Sequence, residues 1–176
     1  MQRKQKLENL YKHYAKTLYF YLLKISGSAQ LAEDLTQETF VRATIHLNKY
    51  EGEEARAWLF KVARNVYLDE WRKQKRRKTF PLSMFSSKVN MISSDGTPES
   101  FLLKQESLQR LEDLLEFLPE QYRSIIYLRE FEEFSYREIM QALQLTEAQV
   151  KVTLHRARKR LSVLAEKKGW KYDEME

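Results

Sequence analysis

Two helix-start signatures lie eleven residues apart in the C-terminal part of this chain, and they restrict its fold more sharply than any other feature. Ser135-Tyr-Arg-Glu138 is a capping box, in which the Ser hydroxyl and the Glu carboxylate satisfy each other's backbone N–H groups. Phe134 and Ile139 flank it as a hydrophobic staple. Thr146-Glu-Ala-Gln149 repeats the arrangement, with Leu145 and Val150 as the second staple. A helix that starts at the first box must stop before the second, so it is short, about 136–143, and a three-residue turn follows. That spacing predicts a helix-turn-helix.

The rest of the chain is consistent with an all-α protein. Four Gly and three Pro in 176 residues leave few turn-formers for a sandwich or barrel, and 43% hydrophobic residues suffice for a packed core. The absence of Cys excludes disulfides, thiolate metal sites and a cysteine nucleophile. No run of eighteen apolar residues and no signal-peptide pattern occurs, so a soluble, cytoplasmic protein without membrane insertion is expected.

Charge and texture divide the chain. Residues 1–78 carry 17 Lys and Arg against 9 Asp and Glu, whereas residues 101–176 carry 13 against 14. The first segment is therefore the main candidate for a polyanion partner. Between them, Thr79 to Thr97 is rich in Ser, contains Pro81 and Gly96, and has no helical period. It reads as a flexible linker, because so long a structureless connection is unusual inside one domain. Two small helical bundles follow, at 1–78 and 98–171, joined by 79–97. Before the linker we expect four helical segments, at roughly 5–25, 29–47 and 55–78 with a frayed piece between them. Ser28 is the N-cap of the second. After it, Thr97-Pro98 opens a helix carrying Phe101, Leu108, Leu111, Leu115 and Leu118, and Pro119 starts another that runs to about Phe131.

On a wheel of about 100° per residue, Val150, Leu154, Ala157 and Leu161 form the buried face of the last helix. Ala148, Lys151, Val152, His155, Arg156 and Lys159 fall opposite. Small, basic and hydrogen-bonding groups on one exposed helix face suit a DNA major groove, and Arg158 and Arg160 flank that stripe within reach of phosphates. In residues 56–78, Trp58, Leu59, Val62, Ala63 and Val66 make the buried side, while Lys61, Arg64, Leu68, Arg72 and Lys75 form a mostly basic stripe. Six cations crowd 72–78, including Arg76, more than a helix dipole asks for, so a backbone-tracking role on DNA is expected. Asn65 and Tyr67 add an amide and an aromatic ring beside the track, as unpaired bases favour, although Tyr67 and Trp71 also read as core. In 32–43, Ala32, Leu35, Thr39 and Ala43 are the buried side. Asp34, Gln37, Glu38 and Val41 share another face, acidic within a basic half and better suited to a protein than to DNA.

Taken in order, these blocks resemble the extracytoplasmic-function group of bacterial RNA polymerase sigma factors. Ala32-Glu-Asp-Leu-Thr-Gln-Glu-Thr-Phe-Val-Arg-Ala43 is similar to the family's core-polymerase-binding helix, and Arg56-Ala-Trp-Leu-Phe-Lys-Val-Ala-Arg-Asn65 with its basic tail to the helix that recognises the -10 element. Leu118-Pro-Glu-Gln-Tyr-Arg123, the helix-turn-helix and Leu154-His-Arg-Ala-Arg-Lys-Arg-Leu161 resemble the domain that reads -35. The resemblance implies core-polymerase contacts by Asp34, Leu35, Gln37, Glu38 and Phe40 with the beta-prime clamp helices, and a further contact with the beta flap. It implies -10 contacts by Tyr50, Lys61, Arg64, Asn65, Leu68, Arg72, Lys75 and Arg76. Asn65 and the 49–55 loop would lie near a base flipped from the non-template strand. It implies -35 contacts by Ala148, Lys151, Val152, His155, Arg156 and Lys159, a linker in the RNA-exit region, and an anti-sigma factor as a further partner of a protein that is monomeric when free. The family's turn commonly carries Gly where this chain has Gln144, and Ser-Arg where it has Val152-Thr153, which bears on the -35 sequence preferred.

No catalytic group, metal or cofactor is expected: His13, His46 and His155 lack ligand spacing, and there is no phosphate-cradling Gly loop. A stand-alone helix-turn-helix operator-binding regulator is the alternative; it leaves the acidic face and the basic helix without a role. A nuclease would need carboxylates such as Glu132-Glu133 to bind magnesium.

Overall fold

The computed structural model describes residues 1–46, 52–77 and 100–170 of the chain. The helices are α1 (Gln2–Ser26), α2 (Ala29–His46), α3 (Gly52–Arg77), α4 (Ser100–Leu115), α5 (Glu120–Ile126), α6 (Tyr136–Leu143) and α7 (Glu147–Lys167), with no strand among the described residues. Three helices precede residue 78 among the described residues, and the frayed piece expected between the second and third falls outside them. The expected linker, Tyr50 and the Thr97-Pro98 cap lie outside the described residues.

Local signals set most boundaries. Gly27 ends α1 at φ 71°, a left-handed geometry that costs glycine no steric penalty, and donates its N–H to Leu23. Ser28 Oγ then accepts the Leu31 N–H at 3.2 Å, opening α2. Both capping boxes form as read. Ser135 and Glu138 exchange bonds of 3.2 and 2.8 Å, and Thr146 and Gln149 bonds of 3.2 and 2.9 Å. α6 runs over 136–143, and Gln144 adopts φ 55° and ψ 49° in the turn. Pro119 sits at the N-cap of α5 rather than inside it.

The helix after Pro119 reaches Phe131, but not as one α-helix. Tyr127–Phe131 is a π-helical turn, closed by the Glu132 N–H on Tyr127 O at 3.2 Å, and Glu133 follows at φ 54°. This widened turn places Tyr127 and Phe131 in a parallel stack, with centroids 5.0 Å apart. Apolar periodicity does not distinguish an i→i+5 turn from an i→i+4 one, so sequence carries no mark of it.

The expected two bundles are present, and they share one continuous core. Leu18, Tyr21, Leu22, Ala32, Leu59 and Phe60 of the first half join Leu114, Ile125, Leu128, Phe134, Ile139 and Val150 of the second. Phe60 meets Phe134 edge-on at 5.0 Å, and Tyr21 lies 5.7 Å from Tyr127. Each such pair adds about 0.5–1.5 kcal/mol to simple burial. Buried Thr36 and Thr39 return their hydroxyls to Ala32 O and Leu35 O, at 2.6 and 2.7 Å.

Polar groups stitch the same junction. Tyr21 Oη and Ser124 Oγ, both fully buried, are 3.0 Å apart. Arg64 binds Glu120 through two bonds of 2.9 Å. Arg56 grips Glu138 Oε1 with Nε and Nη2, at 3.0 and 2.6 Å, while its guanidinium lies 4.3 Å over the Phe134 ring. Lys24 pairs with Glu112. Arg123 reaches five carbonyls: Lys24 and Ile25 at the end of α1, Leu115 at the end of α4, and Glu116 and Leu118 beyond it. Few groups but a guanidinium, with five fixed N–H donors, can end two helices at once. Burial lowers its pKa.

Candidate polymerase and DNA interfaces

The acidic face of α2 is exposed at Asp34, Gln37, Glu38 and Val41, because Ala32, Leu35, Thr36, Thr39, Phe40 and Ala43 turn into the core. Two of the residues expected at the polymerase contact turn inward in this structure. Leu35 is 4% and Phe40 6% exposed, and Phe40 packs edge-on against Tyr11, so both are core residues in this structure. Val41 and Ile45, by contrast, are apolar side chains of α2 left more than half exposed. The periodicity already put Val41 on that face; Ile45 lies one turn further along it. Glu38 is tied to Arg42 Nε at 2.8 Å, and Arg42 also reaches Asp69 on α3 at 3.0 Å.

That bridge closes one side of an open depression of about 260 Å³, lined by Arg42, Ile45, His46, Val62 and Asn65. Asn65 thus sits at the seam of α2 and α3, with half-buried Lys61 close by in sequence and the basic end of α3 beyond. Arg72, Lys73, Lys75, Arg76 and Arg77 are exposed. Arg72 is held to Asp69 at 3.2 Å, an exposed pair of the kind that contributes little and yields readily to a phosphate. Lys75 lies 4.9 Å over the Trp71 ring, which is 45% exposed, so Trp71 belongs to the surface track and not to the core. Tyr67, in contrast, is buried, and Leu68 packs against the core.

Arg64 is the main departure on this helix. It was expected on the DNA stripe, yet its side chain is only 12% exposed and its Nε and Nη2 donate to Glu120. No signal within residues 56–78 could reveal this, since the partner lies 56 residues away.

In the helix-turn-helix, Val150, Leu154, Ala157, Leu161 and Ala165 are buried, and this anchors α7 in rotation. Ala148, Lys151, Val152, His155, Arg156 and Lys159 are all exposed, as the wheel required. Lys151 pairs with Glu147 one turn earlier, at 2.9 Å. Arg160 is exposed, whereas Arg158 is bonded to Glu130 at 2.9 Å. Among the described residues no group of acidic or His side chains could hold a metal ion. Glu132 is half-buried, and burial raises its pKa while a Tyr127 hydroxyl bond and the nearby Arg56 oppose the rise. No described helix is long and apolar enough to cross a membrane.

Comparison with known proteins matches this geometry. The Sigma-70 region 2 model matches residues 10–77, and the Sigma-70 region 4 model residues 108–161. The ECF RNA polymerase sigma factor SigM of Bacillus subtilis is 34% identical over 159 residues, covering 90% of this chain and 94% of that protein. SigL of Mycobacterium tuberculosis, also an ECF RNA polymerase sigma factor, is 33% identical over 166 residues, with 91% and 89% covered. Among solved structures, the sigma factor RpoE of Bartonella quintana, in complex with the anti-sigma factor NepR, has the same fold. Its TM-score is 0.70 at 24% identity, over 90% of this chain and 96% of that one. With both halves matched in order and relatives aligned over nearly their whole length, the chain belongs to the ECF sigma factors of RNA polymerase, which direct promoter-specific initiation of transcription.

Proposed function

We propose that each exposed face identified above has one task in initiation. The unit at 1–78 docks on core polymerase and reads -10, the unit at 98–171 reads -35, and 79–97 joins them. Asp34, Gln37 and Glu38, with Val41 and Ile45, form the polymerase-facing surface on the beta-prime clamp helices. The second unit touches the beta flap. Asn65 in its depression, with Lys61, Arg72, Lys75 and Arg76, handles the opened -10 strand; Ala148, Lys151, Val152, His155, Arg156 and Lys159 enter the major groove at -35. The protein performs no covalent chemistry, works in the cytoplasm and answers to an anti-sigma factor. The solved relative bound to NepR supports that last point only by likeness of fold.

The observation that carries the reading is the site of Asn65, an amide at the wall of an open depression between the acidic helix and the cationic end of α3. Unstacking a base costs a few kcal/mol, and capture of that base in such a depression, with cations along the strand, offsets it. A stand-alone operator-binding regulator has no use for either feature, and the full-length relationship to sigma factors does not favour it. Asn65→Ala tests the reading in reconstituted holoenzyme. Permanganate footprinting of the melted strand should fall well below wild type while retention on core polymerase is unchanged. Equal loss of both would refute the role of Asn65.

A further inference from the structure

A carboxylate lies in the middle of the cationic track. Asn65, Asp69, Arg72 and Arg76 follow one another at spacings of four, three and four residues, so they share one face of α3. A bare anion between the Asn65 depression and the cations beyond it would repel a phosphate backbone and compete with it for Arg72. That charge is met from another helix. Arg42 of α2 donates Nη1 to Asp69 Oδ2 at 3.0 Å, while Arg72 donates Nη1 to the other oxygen, Oδ1, at 3.2 Å. Glu38 Oε1 accepts from Arg42 Nε at 2.8 Å, which fixes the plane of the guanidinium. Arg42 also lines the depression that contains Asn65. All four side chains of this cluster are 40–56% exposed. Pairs so exposed contribute little to folding, so the arrangement bears on the site more than on stability.

We propose that Arg42 is a positioning residue of the -10 site: it holds the Asp69 carboxylate, so that Asp69 neither repels the strand at the Asn65 depression nor withholds Arg72 from a phosphate. The inference rests on the assignment of α3 to the -10 strand. With Arg42 in place, Asp69 is shared between two guanidiniums, and Arg72 can leave it for a phosphate without stranding the carboxylate. Without Arg42, Asp69 and Arg72 have only each other, and the track loses one cation to the strand. With Asp69 neutralised as well, Arg72 is free again. The defect from losing Arg42 is therefore reversed by a second loss.

The test uses holoenzyme, with core polymerase saturated by the full chain and core alone as the blank. The probe is a short fluorescein-labelled single-stranded oligonucleotide of mixed sequence, read by anisotropy over a range of salt. Arg42→Gln should weaken binding roughly two- to fivefold and reduce the slope of log K against log salt by about 0.7, the share of one phosphate contact. Asp69→Asn should bind at least as tightly as wild type. Arg42→Gln with Asp69→Asn should recover the wild-type affinity and slope. Arg42→Gln with Glu166→Gln restores the net charge at an exposed site of α7 and should recover neither. Far-UV circular dichroism should be the same for all of them, since the pairs are exposed. A bridge that merely braces α2 against α3 gives the opposite pattern: Asp69→Asn as weak as Arg42→Gln, and the double variant no stronger. That pattern would overturn the proposal, as would wild-type affinity for Arg42→Gln or equal rescue by Glu166→Gln. The Asn65→Ala footprint tests the -10 assignment separately. If that footprint falls as expected while Asp69→Asn rescues nothing, only the role given to Arg42 is lost.

Discussion

Ser124 Oγ donates to Glu120 Oε1 at 2.8 Å, and this decides the direction of its bond with Tyr21. A hydroxyl has one proton, so the Tyr21 O–H must be the donor to Ser124 across the 3.0 Å contact. Burial raises the pKa of Tyr21 far above its ordinary value, which keeps that proton in place. The chain runs from Tyr21 to Ser124 to Glu120, with Arg64 donating from the far side, and so crosses between the halves twice. Tyr21→Phe removes one neutral bond and leaves Ser124 still donating, a loss of about 1 kcal/mol. Ser124→Ala is worse, because it strands a fully buried phenol with no acceptor and also takes a donor from Glu120; about 2–3 kcal/mol follows. Adding Tyr21→Phe to Ser124→Ala removes the stranded group, and should return about 1 kcal/mol. For a chain of this size that is a rise in Tm of roughly 2–4 °C relative to Ser124→Ala alone. Urea and thermal unfolding followed by circular dichroism measure it. If the double variant is no more stable than Ser124→Ala, the assigned donor direction is wrong.

Gln144 holds a left-handed conformation, φ 55° and ψ 49°, where a side chain costs on the order of 1 kcal/mol. Gln144→Gly should raise Tm by roughly 2–4 °C without altering -35 binding, and a fall would show that the turn uses the Gln side chain. Burial holds the Glu132 carboxyl above its ordinary pKa of 4.5, so the folded protein takes up this proton more readily than the unfolded chain. The group therefore favours folding in acid and opposes it as pH rises through the raised value. Glu132→Gln should be more stable than wild type at neutral pH, with the difference closing as pH falls towards 4.5. A gap that widens in acid would reverse the sign of the argument.

The features legible in the sequence were those written in local chemistry. Both capping boxes, the α6 boundaries and the buried seam of Val150, Leu154, Ala157 and Leu161 depend on residues within a turn or two of each other. The exposed faces of α2 and α7 follow from the same periodicity. Periodicity placed Leu35 on the buried side, and the resemblance alone put Leu35 and Phe40 among the polymerase contacts; both are buried because α2 packs on both α1 and α3, which leaves little of it free. Periodicity failed where a partner is distant in sequence. Nothing close in sequence to Arg64, Arg56 or Arg123 marks them as junction residues; Glu120, Glu138 and the carbonyls of Lys24 and Ile25 are brought to them by the fold. The π-helical turn has no pattern of its own, since its side chains follow the same apolar stripe up to the point where one hydrogen bond is lengthened by a residue.

Arg123 gives the biosynthesis of this protein a particular order. The carbonyls of Lys24 and Ile25 that it satisfies emerge from the ribosome almost a hundred residues before it does. Until then the end of α1 has only water for those oxygens, and Tyr21 and Phe60 lack the aromatic cover that Tyr127 and Phe134 later supply. Until those residues are synthesised, the nascent N-terminal half leaves exposed the part of its apolar surface that the second half covers in the finished fold.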